Sequence, residues 1–168
     1  MEDIASAAAV SRATVYLHFA GKPALLRALL EQDWEGQLRL FERLLQTDLA
    51  DRSAVLFWVM QVVEGMRAAS DSFAIHRAAL GQNGELAVLH QQQCMRLAKV
   101  LCRASGDAAG SSRARMARSI EAELIVSGIE HFATASVIGW SARQLEVAIP
   151  LVVERIRAFA GGGDSAHF

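Results

Sequence analysis

Residues 3–19, Asp-Ile-Ala-Ser-Ala-Ala-Ala-Val-Ser-Arg-Ala-Thr-Val-Tyr-Leu-His-Phe, constrain the rest of the chain most. They spell two short helices joined by a tight turn. Ile4, Ala5 and Ala8 fall on one face of the first helix. Val10 fills the turn. Ser11 caps the second helix, because its hydroxyl accepts a hydrogen bond from a free N–H of the first turn. Val15 and Phe19 are four apart and share one face, while Arg12, Ala13, Thr14 and Tyr16 point elsewhere. That front of one cation, two hydroxyls and one small residue suits a helix lying in a DNA major groove. Arg12 can reach guanine O6 and N7, Thr14 either base type, and Ala13 a thymine methyl. Tyr16, His18 and Lys22 lie toward the far end, where they can bind phosphates.

The same stretch, continued by Lys22-Pro23-Ala24-Leu25-Leu26, resembles the DNA-binding signature of the TetR family of transcriptional regulators. Ile4, Ala5, Ala8, Val10, Ser11, Thr14, Tyr16, His18, Phe19, Lys22 and Leu25 stand in register with the family pattern over about the first 30 residues. The resemblance implies an all-α fold, with a helix-turn-helix head joined by a long helix to a helical ligand-binding and dimerisation body. It marks Ser11, Arg12, Ala13, Thr14, Tyr16, His18 and Lys22 as the DNA-binding set. Two departures stand out. Ala9 occupies the turn position where the family has Gly, so a residue with a Cβ is expected at positive φ, at a cost on the order of 1 kcal/mol. Family members also begin with a further helix ahead of these two. Met1 stands almost at the first of them, so the head is expected to be incomplete, and two short helices bury little surface.

Charge bears on the same question. The chain of 168 residues has a net charge of −1, which excludes a global basic signature for nucleic acid. Within the first 29 residues, Arg12, Lys22 and Arg27 face Glu2 and Asp3, a weak excess for a DNA-binding module. With 52% hydrophobic residues and two prolines, the chain is globular, not disordered. Cys94 and Cys102, eight apart on one expected helix, would sit ~12 Å apart and cannot pair. That usage fits a reducing cytoplasm. No signal peptide is evident, and the longest apolar run, Ala54 to Val63, is too short to span a bilayer, so no membrane partner is expected.

The remainder reads as helices, with a boundary expected near residue 46: a head with connecting helix over 1–46 and a body over 47–168. From Pro23 to Gln46 a helical stripe (Leu26, Leu29, Leu30, Trp34, Leu38, Phe41, Leu44, Leu45) predicts one helix of roughly 36 Å. Ser53 is the expected cap of the next helix, Ala54–Ala69, which is apolar nearly all round and so expected to be buried on most sides. A short helix over Phe73–Leu80 and one over Glu85–Ser105 follow, then a long helix from Ser111 or Ser112 to Ile138. The last helix, from about Ser141 to Ala160, opens on a Ser141/Gln144 capping box and contains Pro150, which should kink it. No strand alternation and no internal repeat appear.

In the family the last two long helices of two subunits form a four-helix bundle. Here they carry Ile120, Leu124, Ile125, Gly128, Ile129, Phe132, Ala135 and Ser136, then Leu145, Ile149, Val152, Val153, Ile156 and Phe159. The resemblance implies a homodimer through these faces, although the same residues would serve equally as core of their own chain. It also implies an effector pocket among residues 54–138. Trp58, Met66, Phe73, His76, His90, Met95, His131 and Phe132 are the candidate lining, and their character favours an apolar or aromatic small molecule. Aromatic and Met residues at helical spacing serve as ordinary core just as well.

Enzyme signatures are missing: no phosphate-cradling glycine loop, no His-Glu-x-x-His or other metal-ligand spacing, and no nucleophile elbow. Neither a cofactor nor a metal is expected. The cluster Arg113, Arg115 and Arg118 reads as a solvated face or as a second nucleic-acid contact. The expected function is a repressor released from operator DNA by a small hydrophobic molecule. The alternative is a dimeric small-molecule-binding or interaction protein that does not bind DNA, the head being incomplete.

Overall fold

The computed structural model describes residues 1–69, 84–106 and 111–161, with Ile75 and Ala78 between. Every regular element among them is helical: α1 (Glu2–Ala7), α2 (Arg12–His18), α3 (Lys22–Glu42), a 3₁₀ turn (Arg43–Gln46), α4 (Arg52–Ala68), α5 (Gly84–Ala104), α6 (Ser112–Ile138) and α7 (Ala142–Ala160). The expected short helix over Phe73–Leu80 lies outside the described residues, Ile75 and Ala78 apart. No helix among the described residues is long and apolar enough to cross a membrane.

The caps follow local chemistry. Ser111 accepts from the Ala114 N–H at 3.2 Å and starts α6. Ser141 and Gln144 form the reciprocal capping box at the head of α7, with the Ser141 N–H reaching Gln144 Oε1 at 2.9 Å. The helical run of α7 continues unbroken through Pro150. The cap of α4 is Asp51, not Ser53: Asp51 Oδ1 accepts the Ser53 N–H at 2.8 Å, so the helix starts two residues earlier than expected. A carboxylate also gains from the positive end of the helix, which a hydroxyl does not.

The long third helix is shorter than expected. Its α-helical part ends at Glu42, and Arg43–Gln46 tighten into a 3₁₀ turn. The Thr47 hydroxyl donates to the Arg43 carbonyl at 2.9 Å, and Leu44 is wholly buried, so the chain is drawn inward there. The α-helical part spans ~31 Å. Nearby the Trp58 indole N–H donates to the Leu40 carbonyl at 2.8 Å, and its ring meets Phe41 edge-on at 5.2 Å. These contacts lock α4 to the end of α3.

Helix α6 is the axis of the body and packs on α5, α4 and α7. The main core gathers Phe41, Leu44 and Leu49, the inner face of α4 (Val55, Trp58, Val59, Val62, Val63) and α5 residues such as Leu97 and Leu101. It adds Ala122, Ile125, Val126, Ile129 and Phe132 of α6, and Leu145, Val153, Ile156 and Phe159 of α7. A second, smaller cluster of Leu30, Trp34 and Leu86 fastens α3 to the start of α5. Buried Gln93 strengthens that seam by donating to the Trp34 carbonyl at 2.9 Å.

Two expectations about faces are corrected. Helix α4 is not buried on most sides: Phe57 and Met60 are exposed, at 66% and 44%. Of the faces assigned to the dimer, Ile125, Ile129, Phe132, Ala135, Leu145, Val153, Ile156 and Phe159 are buried within their own chain. Burial in the core takes these side chains because α4 and α5 pack on the other side of α6.

Candidate nucleic-acid interface

The turn between α1 and α2 is a Schellman-type stop. The Val10 N–H reaches back to the Ala5 carbonyl at 3.0 Å and the Ala9 N–H to the Ser6 carbonyl at 3.1 Å. That closure needs a left-handed residue between them, and Ala9 supplies it at φ 53°. Ala9 thus holds the conformation for which glycine is the usual choice.

Ser11 begins α2 in extended conformation, and its oxygen accepts the Thr14 N–H at 3.0 Å. The Ser11 and Thr14 hydroxyls also lie 2.8 Å apart, so Ser11 orients Thr14 as well as capping the helix. Val15 is buried behind the helix, and Ala5 is buried on α1. Arg12, Ala13, Thr14, Tyr16 and His18 are exposed, as the front of the helix requires. The Arg12 guanidinium stacks over the Tyr16 ring at 5.5 Å, which holds a flexible cation upright on the helix surface. Phe19 leaves α2 in extended conformation, its N–H bonded to the Val15 carbonyl at 2.9 Å.

Lys22 is exposed in the first turn of α3, with Pro23 after it. Its charge adds to the positive end of a 21-residue helix. Arg12, Tyr16 and Lys22 therefore gather from two helices around one open hollow of about 450 Å³, with Glu2 and Asp3 on its rim. Arg27, counted with the head by charge, is turned away. It pairs with Glu31 at 2.9 Å and with Glu85 of α5 at 3.0 Å, and the Glu31 contacts raise its pKa. The head's accessible cations on this face are Arg12 and Lys22.

The candidate effector residues have different surroundings. Trp58 and Phe132 are buried, Met66 is half-buried, and Met95 and His131 are exposed. His131 and Phe132 share a neighbour the sequence did not single out, Trp140, at 6.1 and 6.0 Å between rings. Trp58 forms one wall of an open hollow of about 360 Å³ with Arg43, Thr47, Phe57 and Gln61. Phe73 and His76 lie outside the described residues. Of the arginine cluster, Arg118 is not solvated: its guanidinium sits 4.3 Å from the centre of the Phe159 ring, and Nη2 donates to Ser105 Oγ at 2.9 Å.

His90 belongs to a group that the sequence did not signal by any motif. Four residues on, Cys94 shares its face of α5, and Glu130 meets both from α6. Cys94 Sγ lies 3.5 and 3.6 Å from the two Glu130 oxygens, and His90 Nε2 lies 3.4 Å from Oε1. Burial, and next the Glu130 charge, push the Cys94 thiol up to about 12. The i, i+4 spacing of His90 and Cys94 was the available signal, but the third member lies 36 residues on and only packing brings it in.

Compared with known families, residues 1–29 match "Bacterial regulatory proteins, tetR family". The chain matches no curated protein and no solved structure.

Proposed function

We propose, from the premise that residues 1–29 make this chain a DNA-binding regulator of the tetR family, that it is a homodimeric repressor whose hold on operator DNA is released by a small apolar or aromatic effector. The observation that carries this reading is the front of α2. Arg12, Ala13 and Thr14 stand outward with Val15 buried behind them, and Tyr16 and Lys22 flank them at phosphate-binding positions. Arg12 and Thr14 read base edges, Ala13 meets a thymine methyl, and Tyr16, His18 and Lys22 fix register on the backbone. Ser11 acts chiefly through Thr14, by the cap it provides.

A dimer is supported by what α6 and α7 leave uncovered. Met116, Ile120 and Leu124 recur at four-residue steps on α6, at 63%, 52% and 64% exposure, and Val147 and Leu151 do so on α7. Glu121 pairs with Arg155 at 3.5 Å, which joins the two helices beside this stripe. A self-complementary apolar face of this kind suits a two-fold axis. Such an axis presents two copies of α2 to successive major grooves, ~34–36 Å apart.

Effector release follows from the connection. Helix α3 starts at the DNA-facing Lys22 and is held to the body by the Leu30–Trp34–Leu86 cluster and by Trp58 at its far end. A ligand that favours a different seating of α3 changes the spacing of the two heads. It needs a preference of only a few kcal/mol for the released form.

A protection footprint on the DNA beside its own gene tests the reading. The expected result is two protected half-sites one helical turn apart. Leu124→Glu is expected to give monomers in sedimentation and to lose the paired footprint. An unprotected duplex, or a single site unaffected by Leu124→Glu, overturns the dimeric repressor.

A further inference from the structure

We infer that His90, Cys94 and Glu130 form a binding site for a zinc-class divalent cation between α5 and α6. The geometry points to it. Zinc holds thiolate sulfur at about 2.3 Å, imidazole nitrogen at about 2.0–2.1 Å and carboxylate oxygen at about 2.0–2.2 Å in a tetrahedron. Those bonds require donor separations of about 3.6 Å for S to N, about 3.6 Å for S to O and about 3.4 Å for N to O. The corresponding distances among Cys94 Sγ, His90 Nε2 and Glu130 Oε1 are 3.9, 3.6 and 3.4 Å. One oxygen atom, one nitrogen and one sulfur therefore already stand near the corners that a single ion would take. The His90–Glu130 separation of 3.4 Å is also longer than a good N–H···O hydrogen bond, so hydrogen bonding alone does not explain the spacing.

The donor set selects the metal. A thiolate with an imidazole suits zinc, cobalt or copper and disfavours magnesium and calcium, which take oxygen ligands. Three protein donors leave a fourth position for water. Access is provided for: the His90 and Glu130 side chains are 26% and 25% exposed, while Cys94 beneath them is 5% exposed. Positioning is provided too. His90 and Cys94 are one turn apart on α5, and α5 and α6 are the most extensively packed helix pair of the described residues. On binding, the Cys94 thiol gives its proton to solvent and its sulfur lone pair to the metal. Thiol and carboxylate crowd each other without a cation, and a cation turns that opposition into attraction to a common centre.

The test is a cobalt(II) titration of the reduced, chelator-stripped chain, followed by absorbance. The expected result is one equivalent per chain, with a thiolate-to-cobalt charge-transfer band in the near ultraviolet that zinc abolishes by displacement. Cys94→Ser is expected to remove the band, and Glu130→Gln to weaken binding roughly tenfold or more. Cys102→Ser, eight residues away and outside the triad, is expected to change neither. Absence of the band in the unmodified chain, or its persistence in Cys94→Ser, overturns the site. Should Cys94→Ser fail to fold, the near-isosteric Glu130→Gln decides alone: unchanged affinity overturns the site.

Discussion

The head and the body of this chain are held together by different physics. In the first 21 residues the buried side chains are Ala5 and Val15, while Ile4, Val10, Tyr16 and Leu17 are exposed, Leu17 at 81%. Helices of six and seven residues lie below the ~12–15 residues at which helices begin to stand alone in water. Their geometry rests on the Ser11 cap, the reverse-turn bonds around Ala9, and little else. In the body, helices of 17 to 27 residues bury continuous apolar faces against one another. A head of this kind can adjust its seating at small cost, and the body cannot. That division suits a protein that reads one surface and responds through another.

The widest gap between the regions is expected from truncating a leucine in each. Leu97→Ala, at 1% exposure in the main core, is expected to cost about 2–5 kcal/mol in urea unfolding. Leu17→Ala is expected to fall within about 0.5 kcal/mol. Equal losses would break the contrast. A sharper comparison uses the same chemistry twice. Ser11→Ala and Ser141→Ala each delete an N-cap worth about 1 kcal/mol. The Ser141 change is expected to lower global stability in the unfolding transition. The Ser11 change is expected to show instead as faster amide exchange in α2, with the global transition unmoved. The smallest effect is expected from Ala9→Gly. Releasing the strain of φ 53° is largely offset by the entropy of a glycine in the unfolded chain, leaving a gain of about 0.5 kcal/mol at most. Amide exchange at Val10 and Ser11 reads it, and faster exchange there would contradict the turn geometry.

The same contrast explains what could be read from the sequence. The head was legible almost residue by residue, because a cap and a left-handed turn act within a few positions. Ser11, Ala9 and Val15 do what their spacing implies. The capping box of α7 was legible for the same reason. Faces in the body were not, since apolar character says that a side chain is buried but not against what. Ile125 and Ile129 lie in the core of their own chain, whereas Leu124 beside them is exposed. Phe57 belongs to an apolar run yet stands outside it. The Cys94–Glu130 meeting and the seat of Arg118 on Phe159 depend on which helices pack together, and no local pattern encodes that.

The central claim is that the front of α2 reads DNA sequence. Its most direct test is an anisotropy titration of the unmodified chain, Arg12→Ala and Lys22→Ala, each against the specific duplex and a scrambled one, at two salt concentrations. The account predicts that Lys22→Ala weakens both duplexes alike and reduces the salt dependence by about one phosphate contact. Arg12→Ala is predicted to lose about 1–3 kcal/mol of the preference for the specific duplex, at one base pair. If the unmodified chain binds both duplexes equally, or if Arg12→Ala leaves the preference intact, α2 is not the reading helix.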